Sequence, residues 1–520
     1  MKISRVLASF VAMALSVASA AVAGDYSSYY KNLPFDIRQP EAPAIPSRSV
    51  SIADFGAKAD GVTLNTDAFA KAIESLASQG GGRLVVPSGV WLTGPVVLKS
   101  GIELHLDAGA ILSFSADESL YNTVRVVYEG FEAWRTQSPI SGTGLENIAI
   151  TGEGVIDGNG GMWRPVKRDK MTSGEWKNLV AKGGIVVDDK TWFPSQSNID
   201  GEELAKGDRR AQLTREEAEG IKRYLRPVMV QLTGCRNVLL QGVTFQNSPA
   251  WNVHPLMCEN LIVDGVFIKN PSYAQNGDGL DVESCKNVLI CRSTLDVGDD
   301  AICLKSGKDE AGRKRGIPTE NVVVRDCRVF HGHGGFVVGS EMSGGVSNVS
   351  VADCQFIGTD VGLRFKSTRG RGGVVKNIYI DNVNMLDISG DAITFDLYYW
   401  VKNAPKEIPP VDETTPQFRD ITINGITSVS SGKALKFNGL PEMPIENITV
   451  SRSVFTSLEG GLLSESKGIN FTDVTVIPAS GPAMTINNVT DATFKGCRFI
   501  SPAGTEAVVY TGTNKNVKIK

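Results

Sequence analysis

Three aspartates in one short part of the chain could act together as general acid and general base. Asp278 lies in the segment YAQNGDGLDVESC, and Asp299 and Asp300 follow in LDVGDDAICLKSG, 21 and 22 residues later. If the chain coils with about that period, the three carboxyls crowd one patch on adjacent coils. Carboxylates that close raise the pKa of at least one of them, which supplies a protonated acid beside ionised bases. A solvated acidic face or a calcium-binding patch would use the same residues.

Two further polar motifs follow the aspartates along the chain. The segment HGHGGFVVGS places His331 and His333 among glycines, whose missing side chains allow a ligand to approach. The segment GLRFK puts Arg364 and Lys366 two residues apart on a predicted strand, and therefore on one face. Two cations beside a carboxylate cluster indicate an anionic substrate that contacts both.

An internal repeat predicts how these residues are positioned. It consists of an Asn or Asp followed by alternating apolar residues, and its copies at Asn237 and Asn260 are 23 residues apart. A unit this short cannot bury its apolar face alone, so the units must stack as parallel coils. We expect the repeated Asn to adopt a left-handed turn and to hydrogen-bond along a column of its copies. The copies lie at Asn147, Asn237, Asn260, Asn287, Asn321, Asn348, Asn377, Asp420, Asn447 and Asp491.

The cysteines follow the same repeat. Three lie two residues before a repeat Asn, and three lie six residues after a repeat Asn or Asp, so stacking predicts two buried columns of thiols. Disulfides are the alternative, because an exported protein permits them, but side chains stacked in parallel fit poorly with the ~90° twist of a disulfide. The two columns are Cys235, Cys258 and Cys285, and Cys327, Cys354 and Cys497.

Composition narrows the class of protein. The 520 residues carry 53 Lys and Arg against 57 Asp and Glu, without a basic block, which argues against a nucleic-acid partner. The 55 glycines and the low aromatic content of 7% favour short strands with many turns over a helical bundle. Four histidines and no Cys-x-x-Cys pair disfavour a zinc site, so a metal, if any, would be held by carboxylates.

Changes of composition and pattern along the chain predict one domain with an insertion. Residues 1–23 have a basic start, an apolar run and a small-residue end, which is typical of a cleavable signal sequence for export to the periplasm or the extracellular space. Residues 24–47 are predicted to be an extended lead-in, and residues 48–520 one all-β domain. One short helix, capped by Asn65, precedes the strands. The partly helical insertion spans 160–226, with capping boxes predicted at Thr172 and Thr214.

The four motifs together resemble those of glycoside hydrolase family 28, the polygalacturonase family. They are Asn276-Gly277-Asp278, Asp299-Asp300, Gly332-His333-Gly334 and Arg364-Phe365-Lys366. The one departure is Gly277, where the family has Thr. The resemblance covers essentially all of the chain after residue 23. It implies a single right-handed parallel β-helix and inverting hydrolysis of α-linked galacturonides in pectin.

The resemblance also implies roles for individual residues. Asp299 is the general acid, supported by His333, and Asp278 and Asp300 hold the attacking water as base. The implied substrate-binding residues are Asn276, Arg364, Lys366 and one of Tyr398 and Tyr399. Arg364 and Lys366 would bind the sugar carboxylate. On this resemblance we expect no metal and no cofactor.

The sequence leaves several alternatives open. A calcium-dependent pectate lyase acts on the same polymer, and family members that act on rhamnogalacturonan or xylogalacturonan share the motifs. A non-catalytic carbohydrate-binding solenoid is a third possibility. We expect a monomer that binds pectic polysaccharide or oligogalacturonides, without nucleic acid or a membrane span. We also expect it to act from chain ends, because the 160–226 insertion and the Pro-rich segment after Trp400 could wall off the groove, with exposed Trp and Arg residues of the insertion holding the terminal sugar.

Overall fold

The architecture comes from a computed structural model that describes residues 20–21, 24–401 and 407–520. Nearly all of the predicted signal sequence, and residues 402–406 of the Pro-rich segment, lie outside the described residues. The domain is a parallel β-helix, as predicted, in which 30 of the described strands form one sheet. Of the helices in the described part of the chain, none is long and apolar enough to cross a bilayer.

Three stacks of parallel strands form the coils. The first stack contains Ser49–Ser51, Gly82–Val86, Ile102–Leu106, Glu146–Gly152, Arg236–Gln241, Glu259–Asp264, Lys286–Cys291, Thr319–Arg325 and Lys515–Ile519. The second stack contains Gly89–Thr93, Ala110–Phe114, Val155–Asp157, Thr244–Gln246, Phe267–Lys269, Thr294–Val297, Arg328–His331 and Arg498–Phe499. The third stack contains Val96–Val97, Ile140–Thr143, Val230–Thr233, Val253–Leu256, Leu280–Glu283, Asp300–Lys305, Gly334–Gly339, Leu363–Lys366 and Val508–Thr511. Four long strands bend through more than one stack, namely Val346–Ile357, Val374–Asp396, Gln417–Asn438 and Ile445–Lys495.

The repeated Asn forms the predicted column at the start of the first stack. Each described copy has a positive φ, between 54° at Asn147 and 59° at Asn321. The Asn237 amide donates to the Asn147 side-chain oxygen at 3.1 Å, and the Asn260 amide donates to Asn237 at 2.9 Å. The same bond recurs coil after coil. One residue type therefore supplies both the left-handed corner and the vertical bond that fixes coil register.

The coils enclose one continuous apolar core. Inward-facing Val, Ile, Leu and Phe side chains of all three stacks fill it, and a stack of phenylalanines, among them Phe365 and Phe395 with ring centroids 4.4 Å apart, continues it through the later coils. All eight cysteines carry free thiols, and seven are buried. The predicted thiol columns are thus confirmed over the disulfide alternative, although Cys497 is only half-buried.

Helices cap and decorate the coils. The first α-helix, Thr66–Ala77, confirms the predicted element, and its residues Phe69, Ile73 and Leu76 cover the end of the core. Asn65 occupies the N-cap position, as predicted, but its side chain makes no helix-capping bond and instead bonds backbone groups of Lys58, Thr63 and Leu92. The other α-helices are Ser173–Ala181, Gln196–Leu204, Arg215–Gly220 and Asp309–Arg315. Short 3-10 helices occupy Ser27–Tyr30, Ile52–Phe55, Glu118–Leu120, Gly160–Met162, Arg168–Lys170 and Gly207–Gln212.

The lead-in packs across the outside of the first stack. The two-residue strands Ala20–Ala21 and Ala44–Ile45 pair antiparallel. The Tyr26 ring lies on an apolar patch that includes Leu239 and Ile262, and its hydroxyl donates to Asp264 at 2.8 Å. The lead-in thus covers outward apolar side chains that the coils alone would expose.

The insertion is a small folded unit of its own. It contains a three-stranded antiparallel sheet of Val166–Lys167, Ile185–Val187 and Thr191–Phe193. Both predicted capping boxes are present, at Thr172 with Glu175 and at Thr214 with Glu217. The predicted exposure of its tryptophans was wrong, because Trp163, Trp176 and Trp192 are 1%, 8% and 5% exposed and form apolar contacts inside the protein.

An antiparallel hairpin that the sequence reasoning missed leaves the coils before the insertion. Its strands Thr123–Tyr128 and Phe131–Thr136 are joined by Glu129 and Gly130, both at positive φ. Two residues with positive φ between two strands form a tight hairpin turn. The alternating run TVRVVY-EG-FEAWRT carried that pattern in the sequence.

Candidate active site

The four motifs lie on four adjacent coils at the third stack. Asp278 precedes Leu280–Glu283, Asp300 begins Asp300–Lys305, and His333 precedes Gly334–Gly339. The next strand, Leu363–Lys366, carries Arg364 and Lys366. Parallel register places Leu280 beside Ile302, Ile302 beside Phe336, and Phe336 beside Leu363. The repeat therefore brings residues almost 90 positions apart in sequence to one surface.

The three aspartates converge as predicted. One carboxylate oxygen from each of Asp278, Asp299 and Asp300 lies within 4.8 Å of the others. Asp278 and Asp300 are buried, with 3% and 1% exposure, whereas Asp299 is partly exposed. Two carboxyls therefore form the floor of the site, and Asp299 lies at its open side.

The two buried carboxyls have opposite electrostatic environments. Burial raises the pKa of Asp278 well above its ordinary value, and the neighbouring charge of Asp299 adds to the effect. Burial also acts on Asp300, but the charges of Lys366 and Arg364 outweigh it and lower the pKa of Asp300 below its ordinary value. Of the two buried carboxyls, Asp300 is therefore the one that ionises readily, and Asp278 is the one that retains its proton more readily.

His333 is paired with the exposed member of the cluster. Its Nδ1 lies 3.1 Å from Asp299 Oδ1, and its Nε2 lies 3.7 Å from Asp360 Oδ2. The hydrogen bond to Asp299 raises the pKa of His333 above its ordinary value, although partial burial opposes it. The Gly332 backbone makes the pairing possible, because its φ of 88° and a Cβ position only 2.7 Å from Asp299 O exclude a side chain there. His333 is therefore placed to hydrogen-bond the exposed carboxyl of the cluster.

The basic pair on the fourth coil contacts Asp300. Lys366 Nζ donates to Asp300 Oδ2 at 2.6 Å, and Arg364 donates to Asp300 Oδ1 at 3.1 Å and to the His333 carbonyl at 3.2 Å. Lys366 also lines the open cavity, whereas Arg364 is not among the lining residues. In the described structure both cations therefore maintain the charge of Asp300, a role that the resemblance did not supply.

Of the two adjacent tyrosines, the structure brings Tyr399 into the site. Tyr399 lines the cavity, and Lys366 Nζ lies 4.9 Å from its ring centroid. Tyr398 instead lies beside Arg369, whose guanidinium is 5.1 Å from the Tyr398 ring centroid. Of the two tyrosines, Tyr399 is therefore the candidate for substrate binding, and the neighbouring Trp400 also lines the cavity.

Asn276 lines the cavity, and Arg226 fixes its side chain. Arg226 donates to the Asn276 side-chain oxygen at 3.0 Å and to the Gln275 carbonyl at 2.9 Å. The Gly277 departure has a local reason: a Cβ at Gly277 would lie 2.7 Å from the Ala274 Cβ, so the tight turn at 271–277 excludes a threonine.

The cavity around the aspartates has a volume of about 590 Å³ and is lined by residues of the hairpin, the insertion and several coils. Sequence reasoning did not assign to the site the hairpin residue Glu129, the insertion residues Lys167 and Lys170, or Trp251 and Lys308. The two insertion lysines stand in the basic run RPVKRDK, which was the available sequence signal. The insertion thus presents lysines to the cavity, and not the tryptophans that we expected.

The hairpin closes one side of this cavity. Its tip lies across the third stack, where the Lys308 amide donates to the Gly130 carbonyl at 3.3 Å and the Tyr128 ring packs on Trp251 with centroids 4.6 Å apart. Arg210 of the insertion forms a salt bridge with Glu129 at the tip. The hairpin tip is therefore held both by the coils and by the insertion.

The aspartate cluster could also serve as a metal site by its donor type, since three carboxylates suit a hard cation. Asp300, however, already accepts from Lys366 and Arg364 at 2.6 and 3.1 Å. A cation there would have to share Asp300 with two positive charges, so the surroundings favour organic chemistry at these carboxylates over calcium binding.

Comparison with known proteins assigns the family. The model of "Glycosyl hydrolases family 28" matches residues 196–477, more than half of the chain. The chain belongs to glycosyl hydrolase family 28. Among its relatives, the exo-poly-alpha-D-galacturonosidase of Dickeya chrysanthemi is 30% identical over 86% of this chain and 74% of its own length. The endo-polygalacturonase of Pectobacterium carotovorum subsp. carotovorum is 30% identical over 71% of this chain and 78% of its own.

A solved structure agrees with the family assignment. The hyperthermoactive exopolygalacturonase from Thermotoga maritima superposes with a TM-score of 0.71 and is 34% identical, covering 84% of this chain and 93% of its own. This family 28 protein is thus a polygalacturonase-like glycoside hydrolase with a pectic substrate, and its β-helix is the family fold.

Proposed function

We propose that this family 28 hydrolase cleaves α-1,4-galacturonosyl linkages of pectin with inversion, acting from chain ends, after export from the cytoplasm. The observation that carries the catalytic part is the gathering of Asp278, Asp299 and Asp300 within 4.8 Å at the floor of one cavity. Export is supported by residues 1–23 alone.

The acid step is assigned to Asp299. It is the most exposed of the three carboxyls and therefore the one that a glycosidic oxygen can reach. Asp299 donates its proton to the leaving oxygen as the bond to the anomeric carbon breaks, and His333, 3.1 Å away, supplies or stabilises that proton.

The base step is assigned to Asp300 with Asp278. Asp300 remains ionised beside Lys366 and accepts a proton from the attacking water, while Asp278 orients that water by a hydrogen bond. Asp278 Oδ1 is buried without a hydrogen-bond partner in the described structure, so it has an unused position for this contact.

We predict that the first product is the β-anomer, because a water attacking opposite an α-linkage inverts the anomeric carbon. The measurement is proton NMR of oligogalacturonide hydrolysis before mutarotation. The shortest oxygen separations, within 4.8 Å, fall below the ~6.5–9.5 Å typical between inverting carboxyl groups and near the ~5–5.5 Å of retaining enzymes. An initial α-anomer would therefore replace the water-based account with one in which a carboxylate is the nucleophile.

Action from chain ends is supported by the hairpin. A bare β-helix groove is open at both ends, but here the hairpin tip lies at the cavity and bonds Lys308 of the coils and Arg210 of the insertion. A polymer running through the groove would have to pass this barrier, whereas a chain end can stop against it. The exo-acting names of the Dickeya and Thermotoga relatives are consistent with this proposal.

We predict that removing the hairpin converts the enzyme to internal cleavage. Gln137 N donates to Asn122 O at 2.8 Å, so a two-glycine link can replace residues 123–136 with little strain. The deletion variant should lower the viscosity of polygalacturonate at far fewer broken bonds than the parent enzyme does. Arg125→Gln, an exposed change on the same hairpin, is the matched control and should behave as the parent. A parent enzyme that itself lowers viscosity rapidly would contradict end action.

A further inference from the structure

A second, smaller cavity lies behind the hairpin. Its volume is about 120 Å³, and it is enclosed by the hairpin, the insertion and the turn that carries Asn276. Three arginines converge on it, namely Arg135 of the hairpin and Arg210 and Arg226 of the insertion. Such a space admits a carboxylate with a few waters, but not a run of several sugars.

This cavity adjoins the catalytic one. Glu129, Gln275 and Asn276 line both cavities, so the two cavities share part of one wall. The small cavity lies at the side of the groove that the hairpin blocks. A chain end resting against the hairpin would present its last sugar to the arginines.

The charges in the small cavity are incompletely balanced. Arg210 pairs with Glu129, but its Nε is buried without a partner. Among the described residues, Arg135 and Arg226 have no carboxylate within salt-bridge distance. Arg226 donates to Pro249 and Gln275 carbonyls and to Asn276, and Arg135 donates to the Arg226 carbonyl. Glu202, the other acid at this cavity, is exposed.

Arg135 is the most unusual of the three. It is 5% exposed, and its guanidinium lies 3.8 Å from the Tyr128 ring centroid. Burial lowers the pKa of Arg135 to about 10. A buried cation without an anion is costly to a protein, and a bound anion would relieve that cost.

We propose that the Arg135, Arg210 and Arg226 cavity binds the carboxylate of the terminal galacturonate. The inference rests on the proposed action from chain ends, and it adds the arginines that would recognise the terminal sugar of the chain. Guanidinium groups suit this role because their planar donors bind a carboxylate with two parallel hydrogen bonds. The bound carboxylate would also lock Asn276 through Arg226, so occupancy by a charged end would order the wall of the catalytic cavity.

The test compares three trisaccharides. One is trigalacturonate, and the other two each have one terminal carboxyl reduced to a primary alcohol, at opposite ends. Wild-type kcat/KM should fall about 10- to 100-fold for one of the two analogues, the range expected when a charge-assisted hydrogen-bonding pair is lost, and mainly through KM. In Arg135→Gln the difference between that analogue and trigalacturonate should shrink to a few-fold.

Arg215→Gln is the matched control, since it removes an exposed arginine of the same insertion outside both cavities and should keep the wild-type selectivity. Arg135→Lys, which keeps the charge, replaces Arg135→Gln if the latter does not fold, and should show a reduced but measurable selectivity. Equal rates on all three trisaccharides in the wild type, or selectivity that survives in the Arg135 variant, would overturn the proposal. Failure of end action would appear separately, as internal cleavage of the polymer by the parent enzyme.

Discussion

Asp299→Asn is expected to lower kcat on polygalacturonate by at least 100-fold while leaving the fold and KM nearly unchanged. The amide matches the carboxyl in shape but cannot deliver a proton to the leaving oxygen, and general acid catalysis contributes roughly 10²–10⁴-fold. Because Asp299 is only partly buried and pairs with His333 at 3.1 Å, the substitution should cause little repacking. Reducing-end assays and circular dichroism measure the two effects.

The chain offers a matched control for this variant. Asp296 pairs with His331 at 2.9 Å on the same coil, but Asp296 does not line the cavity. Asp296→Asn should therefore retain activity within a few-fold. If Asp299→Asn keeps more than about a tenth of the activity, Asp299 is not the acid.

Lys366→Met is expected to lower kcat about 100-fold near pH 5, in the range that loss of a general base produces. Lys366 Nζ lies 2.6 Å from Asp300 Oδ2 and holds the pKa of this buried carboxyl low. Without the cation that pKa rises, so Asp300 is protonated at a pH where the parent has a carboxylate. The acidic limb of the kcat/KM profile should move to higher pH, with partial recovery of activity as the pH rises.

The same variant separates the two roles considered for Lys366. A residue that only bound the sugar carboxylate would raise KM at constant kcat, with a smaller loss on methyl-esterified substrate and no shift of the acidic limb. Lys433→Met is the control, because Lys433 pairs with Glu459 at 2.9 Å in a later coil and does not line the cavity. An unshifted acidic limb in Lys366→Met would contradict the assignment of Lys366 to Asp300.

The features that repeat along the sequence were predictable because stacking converts sequence period into spatial contact. The Asn column follows from the repeat, and the thiol columns follow from the constant offset of the cysteines from the repeat Asn or Asp. The same logic put Asp278 and Asp299 side by side, since their separation is close to one coil. In a parallel solenoid, long-range contacts can therefore be predicted from the positions of residues within the repeat.

The parts that leave the coils were not predictable in the same way. The hairpin occurs once, so no repeat marks its partner, and its bond to Lys308 joins segments that only the folded chain brings together. The insertion tryptophans were expected at the surface, but they bury apolar area inside the insertion and its contacts with the coils. The pairing of Lys366 with Asp300 likewise depends on side-chain direction, which the motif spacing does not specify.

The most direct test of the account is the mass of the first products released from polygalacturonate in water enriched in oxygen-18. Hydrolysis puts one oxygen-18 atom on the new reducing end at each cut, and action from chain ends predicts mono- or digalacturonate as the first products, without intermediate oligomers early in the reaction. Products lacking the label and lighter by one water would show elimination, as a calcium-dependent lyase performs. Either that result, or a labelled ladder of intermediate oligomers, would contradict the account.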